Sequence, residues 1–172
     1  MEFLFLSWKQ FHKVCFQTAK KIIKQYLVLD RLVAISRGGL VVSRLFSDYL
    51  DLPISPFTIV AYTAFGVSRK PRIAEGLKAN IKGEKILLID EVADSGETFL
   101  TALDYLRQFK PAKIYTASPF IKNKTKYRPD FWHKKTDKWI IFPYDIRETV
   151  KELKGKIEAA ELIKSGLPSD QV

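Results

Sequence analysis

The sequence predicts an α/β fold with a mainly parallel central sheet flanked by helices. Two observations carry that prediction. Short apolar runs of strand length stand at Leu32–Ile35 and Ile86–Ile89, Lys113–Ser118 also reads as a strand, and longer stretches with helical spacing lie between them. Strands that alternate with helices in this way belong to a sheet covered on both faces.

The elements follow in order. Ser7 and Gln10 form the pattern of a capping box, and Trp8, Phe11, Cys15, Ala19, Ile22 and Tyr26 recur at helical spacing. Leu32–Ile35 reads as a buried strand that ends at Ser36-Arg37-Gly38-Gly39. Val41, Leu45 and Tyr49 share a helical face, and Pro53 stops that helix. Residues 56–62 are rich in β-branched and aromatic residues and read as a strand. Residues 63–84 hold glycines, a proline and many charges with weak periodicity, as a loop or a ragged hairpin would. After the strand Ile86–Ile89, Phe99, Ala102, Leu103 and Leu106 mark a helix that Pro111 ends. Lys113–Ser118 and Trp139–Phe142 read as strands, and Val150, Leu153, Ile157 and Ala160 as a last helix.

The chain has 172 residues, 47% of them hydrophobic and 28% charged, which fits a single domain over residues 1–172 with its own core. Cys15 is the only cysteine, so no disulfide forms within a chain, and a reducing, cytoplasmic setting is expected. The apolar start Met1–Leu6 is too short for a signal-peptide core, and no stretch has the length of a membrane span. Net charge is +10, which suits phosphate-bearing partners, whether small molecules or nucleic acid. The densest cations are Lys122, Lys124, Lys126, Arg128, Lys134, Lys135 and Lys138.

The chemistry concentrates in "ILLIDEVADSGETF", residues 86–99. A buried strand that ends in adjacent acids is costly unless the acids bind something. Asp90 and Glu91 stand at the carboxyl end of a parallel strand, where such folds bind ligands. Asp94-Ser95-Gly96-Glu97-Thr98 then leads into a helix, whose open N–H groups, with the two hydroxyls, suit a phosphate. One loop thus offers a phosphate cradle beside carboxylates that can hold hydroxyls or Mg²⁺. A phosphorylated ribose meets all of these requirements. The Walker A and dinucleotide-binding glycine patterns are both absent.

This stretch resembles the phosphoribosyl-diphosphate (PRPP) motif of type I phosphoribosyltransferases. "VAISRGGLVVSRLFSDYL", residues 33–50, resembles their pyrophosphate loop and the helix after it. "YRPDF" and "DKWIIFPYD", residues 127–131 and 137–145, resemble the base-binding region of the 6-oxopurine branch, in its xanthine-guanine and archaeal-type purine forms. The matches span roughly residues 7–150.

The resemblance implies a phosphoribosyltransferase fold with a small hood built from N- and C-terminal segments. It implies transfer of the phosphoribosyl group of PRPP to xanthine, guanine or hypoxanthine in purine salvage, with Mg²⁺, by a homodimer or homotetramer. Asp90 and Glu91 match the acids near the ribose hydroxyls and metal, with Glu91 where many relatives have Asp. Asp94 matches the acid–base carboxylate near purine N7. Ser95, Gly96, Glu97 and Thr98 match the 5′-phosphate loop, which Asp94 opens. Ser36, Arg37 and Gly38 match the pyrophosphate loop, where the family often has a cis peptide. Tyr62, Arg69 and Arg72 fall in the segment matching a lid. Lys122 matches the donor to purine O6, with Lys124 and Lys126 close enough to take its place. Trp139 matches the aromatic stacked on the base, Ile140 the backbone contact at the purine 2-position, and Asp145 an acid near metal or pyrophosphate.

Two alternatives stay open: an adenine or uracil enzyme, and a PRPP-sensing regulator that binds nucleic acid. Lys122 and residues 137–140 weigh against the first. Against the second, no nucleic-acid motif with interleaved aromatics is present, and no room for an appended DNA-binding domain is expected before residue 7 or after residue 165.

Overall fold

The computed structural model describes residues 2–60, 63–64, 67–68 and 70–153, with side chains at all of these except 63, 64, 67, 68, 152 and 153. The elements run β1 (Phe3–Phe5), α1 (Trp8–Ile23), β2 (Arg31–Ser36), α2 (Gly38–Leu50), β3 (Ile54–Val60), β4 (Thr63–Ala64), β5 (Val67–Ser68) and β6 (Arg72–Glu75). They continue β7 (Lys85–Ile89), β8 (Val92–Ala93), α3 (Glu97–Arg107), β9 (Lys113–Ala117), β10 (Phe120–Ile121), β11 (Lys134–Lys135), β12 (Trp139–Ile141) and α4 (Ile146–Leu153).

A five-stranded sheet of order β6-β3-β2-β7-β9 forms the centre. Strands β2, β3, β7 and β9 are parallel, and β6 adds antiparallel to the edge of β3. The fold is therefore α/β and mainly parallel, as the sequence predicts. Side chains on β7 alternate between two cores, as strand geometry requires. Leu87 and Ile89 face a core with Phe11, Cys15, Ala19 and Ile22 of α1 and Val42 and Phe46 of α2. Ile86 and Leu88 face the other, with Phe99, Ala102, Leu103 and Leu106 of α3. Burying each large side chain contributes about 1.5–3 kcal/mol, and Phe11, Phe46 and Phe99 are all fully buried. The capping box at α1 is complete, with the Ser7 side chain on the Gln10 N–H and the Gln10 side chain on the Ser7 N–H.

Some elements differ from expectation. In α2 the fully buried stripe is Gly39, Val42, Ser43 and Phe46, one position off the expected Val41, Leu45 and Tyr49, which pack at its flank. Residues 63–84 contribute the β4–β5 hairpin and β6, which joins the sheet. The last helix begins at Ile146, earlier than expected, and its expected positions Ile157 and Ala160 lie outside the described residues.

Two smaller sheets stand over the carboxyl ends of the strands. β1 pairs in parallel with β12, joining an N-terminal segment to a C-terminal one. β8, which follows β7 closely, pairs with β10, and β10 pairs with β11. The β1–β12 pair and α4 share a small core of Ile141 and Ile146, flanked by Phe3, Phe5, Trp139 and Val150.

Candidate active site

The strand order reverses at β2. The chain moves outward from β2 to β3, then returns to place β7 on the other side of β2. The crevice beyond the carboxyl ends of such a strand pair is where open α/β sheets bind ligands. A cavity of about 540 Å³ lies there, lined by the loops after β2 and β7 and by residues of the hood.

The loop after β2 supplies Ser36, Arg37 and Gly38, with a cis peptide between Ser36 and Arg37. α2 begins at Gly38 without a side-chain cap. The loop packs tightly against the acids of β7. A methyl group on Gly38 would fall 1.9 Å from the Glu91 carboxylate carbon, and one on Gly39 would fall 2.5 Å from the Ile89 carbonyl oxygen. The two glycines let the loops after β2 and β7 touch.

The loop after β7 supplies Asp90, Glu91, Asp94 and Thr98 to the cavity. Asp90 is buried, and its Oδ1 accepts the Glu91 N–H at 3.0 Å. Burial, reinforced by the Glu91 charge, holds the Asp90 carboxyl well above the usual carboxylate range. Glu91 Oε2 is buried and has no hydrogen-bond partner among the described residues. Such an orphaned acceptor marks a place for a ligand atom. Asp94 does not cap α3, whose N-cap is Gly96, and its Oδ1 lies 2.8 Å from Lys124 Nζ. Gly96 is left-handed, with φ 85°, and a side chain there would also strike the Tyr127 backbone at 2.5 Å. Ser95, Gly96 and Glu97 form the start of α3 beside the cavity rather than its lining. Ser95 Oγ accepts the Glu97 N–H at 3.3 Å, and Glu97 pairs with Lys126 at 2.8 Å, which lowers the Glu97 carboxyl.

The hood supplies Lys122, Trp139, Ile140 and Asp145. Of the three lysines near position 122, only Lys122 lines the cavity; Lys124 pairs with Asp94 and Lys126 with Glu97. Lys122 is buried, its Nζ donates to the Lys138 carbonyl, and its N–H donates to Ala93 at 3.0 Å. Burial lowers its ammonium below the ordinary lysine range. A contact between Asn123 and Asp137 ties this loop to the one before Trp139.

Arg72 stands apart from the cavity lining, exposed at the start of β6 opposite Val60. Tyr62 and Arg69 lie outside the described residues. The structure also brings in residues that the sequence did not single out. Tyr144 and Phe142 line the wall, with their rings stacked at 5.3 Å. The Tyr144 hydroxyl is buried without a partner among the described residues, and burial, reinforced by the Glu91 charge, raises its phenol. Glu148 of α4 also lines the cavity and pairs with Arg37. Phe142 lies in the stretch 139–142 that reads as a strand, but nothing in the sequence singles out Glu148.

The donor set suits Mg²⁺. Asp90, Glu91 and Asp145 offer hard oxygen ligands in one cavity, and one Glu91 oxygen is unused. Among the described residues no three His, Cys, Asp or Glu form a closed cage. Mg²⁺ needs no such cage, because it takes one or two carboxylates and fills its shell with water and phosphate oxygens.

Comparison with known proteins agrees with this architecture. The chain is 25% identical over 145 residues to the xanthine-guanine phosphoribosyltransferase of Idiomarina loihiensis, covering 83% of this chain and 86% of that one. The solved purine phosphoribosyltransferase of Pyrococcus horikoshii superposes with a TM-score of 0.74 at 26% identity, covering 84% of this chain and 95% of that one. The Helicobacter pylori xanthine-guanine-hypoxanthine phosphoribosyltransferase gives 0.70 at 28% identity, covering 88% and 98%. The phosphoribosyl transferase domain family matches residues 6–149, and the chain belongs to that family.

Proposed function

We propose that this chain transfers the 5-phosphoribosyl group of PRPP to a ring nitrogen of a 6-oxopurine, releasing a nucleoside 5′-monophosphate and pyrophosphate. The observation that carries this reading is one shared cavity. The acid pair and Asp94 face the same space as Lys122 and Trp139. Sugar-phosphate chemistry and a planar, carbonyl-bearing acceptor are thus served at one place. The xanthine-guanine and purine enzymes to which the chain is similar support the same reading.

In this mechanism the bond from C1′ to the pyrophosphate oxygen breaks as a bond from the purine nitrogen to C1′ forms. Asp90 and Glu91 hold the ribose hydroxyls. The start of α3, with Ser95, Gly96, Glu97 and Thr98, holds the 5′-phosphate through open N–H groups and hydroxyls. The loop of Ser36, Arg37 and Gly38 faces the pyrophosphate. Trp139 stacks on the base, and Ile140 presents backbone groups at its 2-position. Lys122 donates to O6, which a 6-amino group could not accept in the same way. Asp94 takes the proton that the purine loses. Asp90, Glu91 and Asp145 would hold Mg²⁺, which would supply positive charge to the pyrophosphate leaving group. Most of the rate gain on this reading comes from positioning and fixed charge.

The test is an assay with PRPP and Mg²⁺ that offers xanthine, guanine, hypoxanthine, adenine and uracil separately. Mononucleotide from one or more of the 6-oxopurines is expected. Product from adenine or uracil alone would overturn the base assignment, and no product from any base would overturn the transfer reaction.

A further inference from the structure

The loop read as pyrophosphate-binding carries a side chain already engaged by an anion of the protein itself. Arg37 Nη2 donates to Glu148 Oε1 at 2.6 Å and also contacts Oε2. Arg37 sits between β2 and α2, whereas Glu148 lies in the first turn of α4. Both residues line the cavity, so the pair ties the sheet-borne loop to the hood across one wall of the site.

Two features give this contact a role beyond holding α4. First, a carboxylate and a phosphate present a guanidinium with the same pair of acceptor oxygens. Glu148 therefore occupies Arg37 as a phosphate would. Second, the pair is open to solvent, with Arg37 79% and Glu148 50% exposed. An ion pair this exposed is weak. A pyrophosphate group carries more charge than one carboxylate and can displace it without opening the core.

We infer that Glu148 is a positioning residue that holds the Arg37 guanidinium at the cavity and competes with the pyrophosphate group for it. The inference rests on the reading of residues 36–38 as the pyrophosphate loop. Glu148 then stands in for the ligand when the subsite is free and reclaims Arg37 when pyrophosphate leaves. It weakens the binding of PRPP and pyrophosphate alike and leaves the purine side untouched.

The test is calorimetric titration of inorganic pyrophosphate with Mg²⁺ into the full chain, as wild type, Glu148→Gln, Arg37→Gln and the double variant. Glu148→Gln should tighten pyrophosphate about two- to fivefold, the range of an exposed ion pair. The KM for PRPP should fall by a similar factor, with the KM for the base unchanged. In the Arg37→Gln background the same change should have no effect. An unchanged or weaker affinity in Glu148→Gln would overturn the proposal. So would an equal gain in the Arg37→Gln background, which would mark a general effect of removing one negative charge. A purely structural role for Glu148 would lower the melting temperature without tightening pyrophosphate, and that result also overturns it. If wild type makes nucleotide and Glu148→Gln shows no gain, the competition alone fails. If wild type neither binds pyrophosphate nor makes nucleotide, the reading of the loop fails with it.

Discussion

The two halves of the cavity are built differently. One half stands on the central sheet, at the ends of β2 and β7, where both strands are buried and flanked by helices on each face. Its groups come from two short continuous loops, and its tolerances are tight enough that a single methyl would collide with backbone. The other half stands on strands of two or three residues, β1, β10, β11 and β12, and on α4. Its groups come from residues 122–149 and are held by side-chain contacts such as Asn123 to Asp137 and Arg37 to Glu148. The comparison suggests a division of labour. On the proposed function, the sheet half would fix the sugar and its phosphates, and the hood half would set which base is taken.

Substitutions can break this contrast. The largest effect is expected at Asp94→Asn on the sheet half. Turnover should fall about 10²- to 10⁴-fold, the usual contribution of a positioned acid–base group, with PRPP affinity nearly unchanged. Steady-state kinetics beside PRPP titration checks this, and unaltered turnover would remove the acid–base role. Gly39→Ala comes next. Its methyl would meet the Ile89 carbonyl at 2.5 Å, and overpacking against backbone costs about 1–3 kcal/mol. A wild-type melting curve would show that the loops after β2 and β7 can part, and the rigid half would lose its distinction.

On the hood half, Trp139→Ala should raise the KM for the base about tenfold or more, the range of one aromatic stack. The KM for PRPP should stay within twofold, and equal losses in both would make Trp139 a packing residue of the small β1–β12 core. Asp90→Asn separates charge from shape. The folded state holds the Asp90 carboxyl above its unfolded value of 3.8, so it binds more protons than the unfolded chain over the interval between them. This contribution to stability is complete below the unfolded value and is lost as pH rises through the folded one. An asparagine keeps the Oδ1 acceptor for the Glu91 N–H and carries no charge. The variant should melt higher than wild type at neutral pH, should lose that part of the pH slope, and should bind PRPP more weakly. A lower melting temperature at neutral pH would mean that Asp90 is not a charge held at a cost. The smallest effect is expected at Tyr144→Phe, which keeps the stack on Phe142 and removes a buried, unpartnered hydroxyl. Stability should hold or rise by about 1 kcal/mol or less, and a clear drop in the melting curve would reveal a partner for that hydroxyl.

The same contrast explains what could be read from the sequence. The sheet half is local: strand, acids, hydroxyls, glycine and helix follow one another within residues 86–99, so composition and order already imply the arrangement. Its strands also show as apolar runs because both faces are buried. The hood half depends on which side chains pair with one another. Trp139 and Lys122 stand out only through the family resemblance, and which of Lys122, Lys124 and Lys126 faces the cavity depends on the carboxylates that capture the other two, which no spacing rule encodes. Glu148 was illegible for the same reason, since its partner lies 111 residues away. The buried face of α2 lies one position from the one its apolar residues predict, because Gly39 and Ser43 are buried there and small residues carry no hydrophobic signal.

The parallel pairing of β1 with β12 bears on how the molecule is made. Residues 3–5 leave the ribosome well before their partners, residues 139–141. At about 5–20 residues per second, synthesis separates the two by on the order of ten seconds. Through that interval Phe3, Leu4 and Phe5 have no strand to pair with, while the segments of the sheet-borne half emerge one after another. A nascent chain stalled before residue 139 should therefore expose a sticky strand at residues 3–5 that a chaperone could shield, and the β1–β12 pair would close only after the sheet-borne half has emerged.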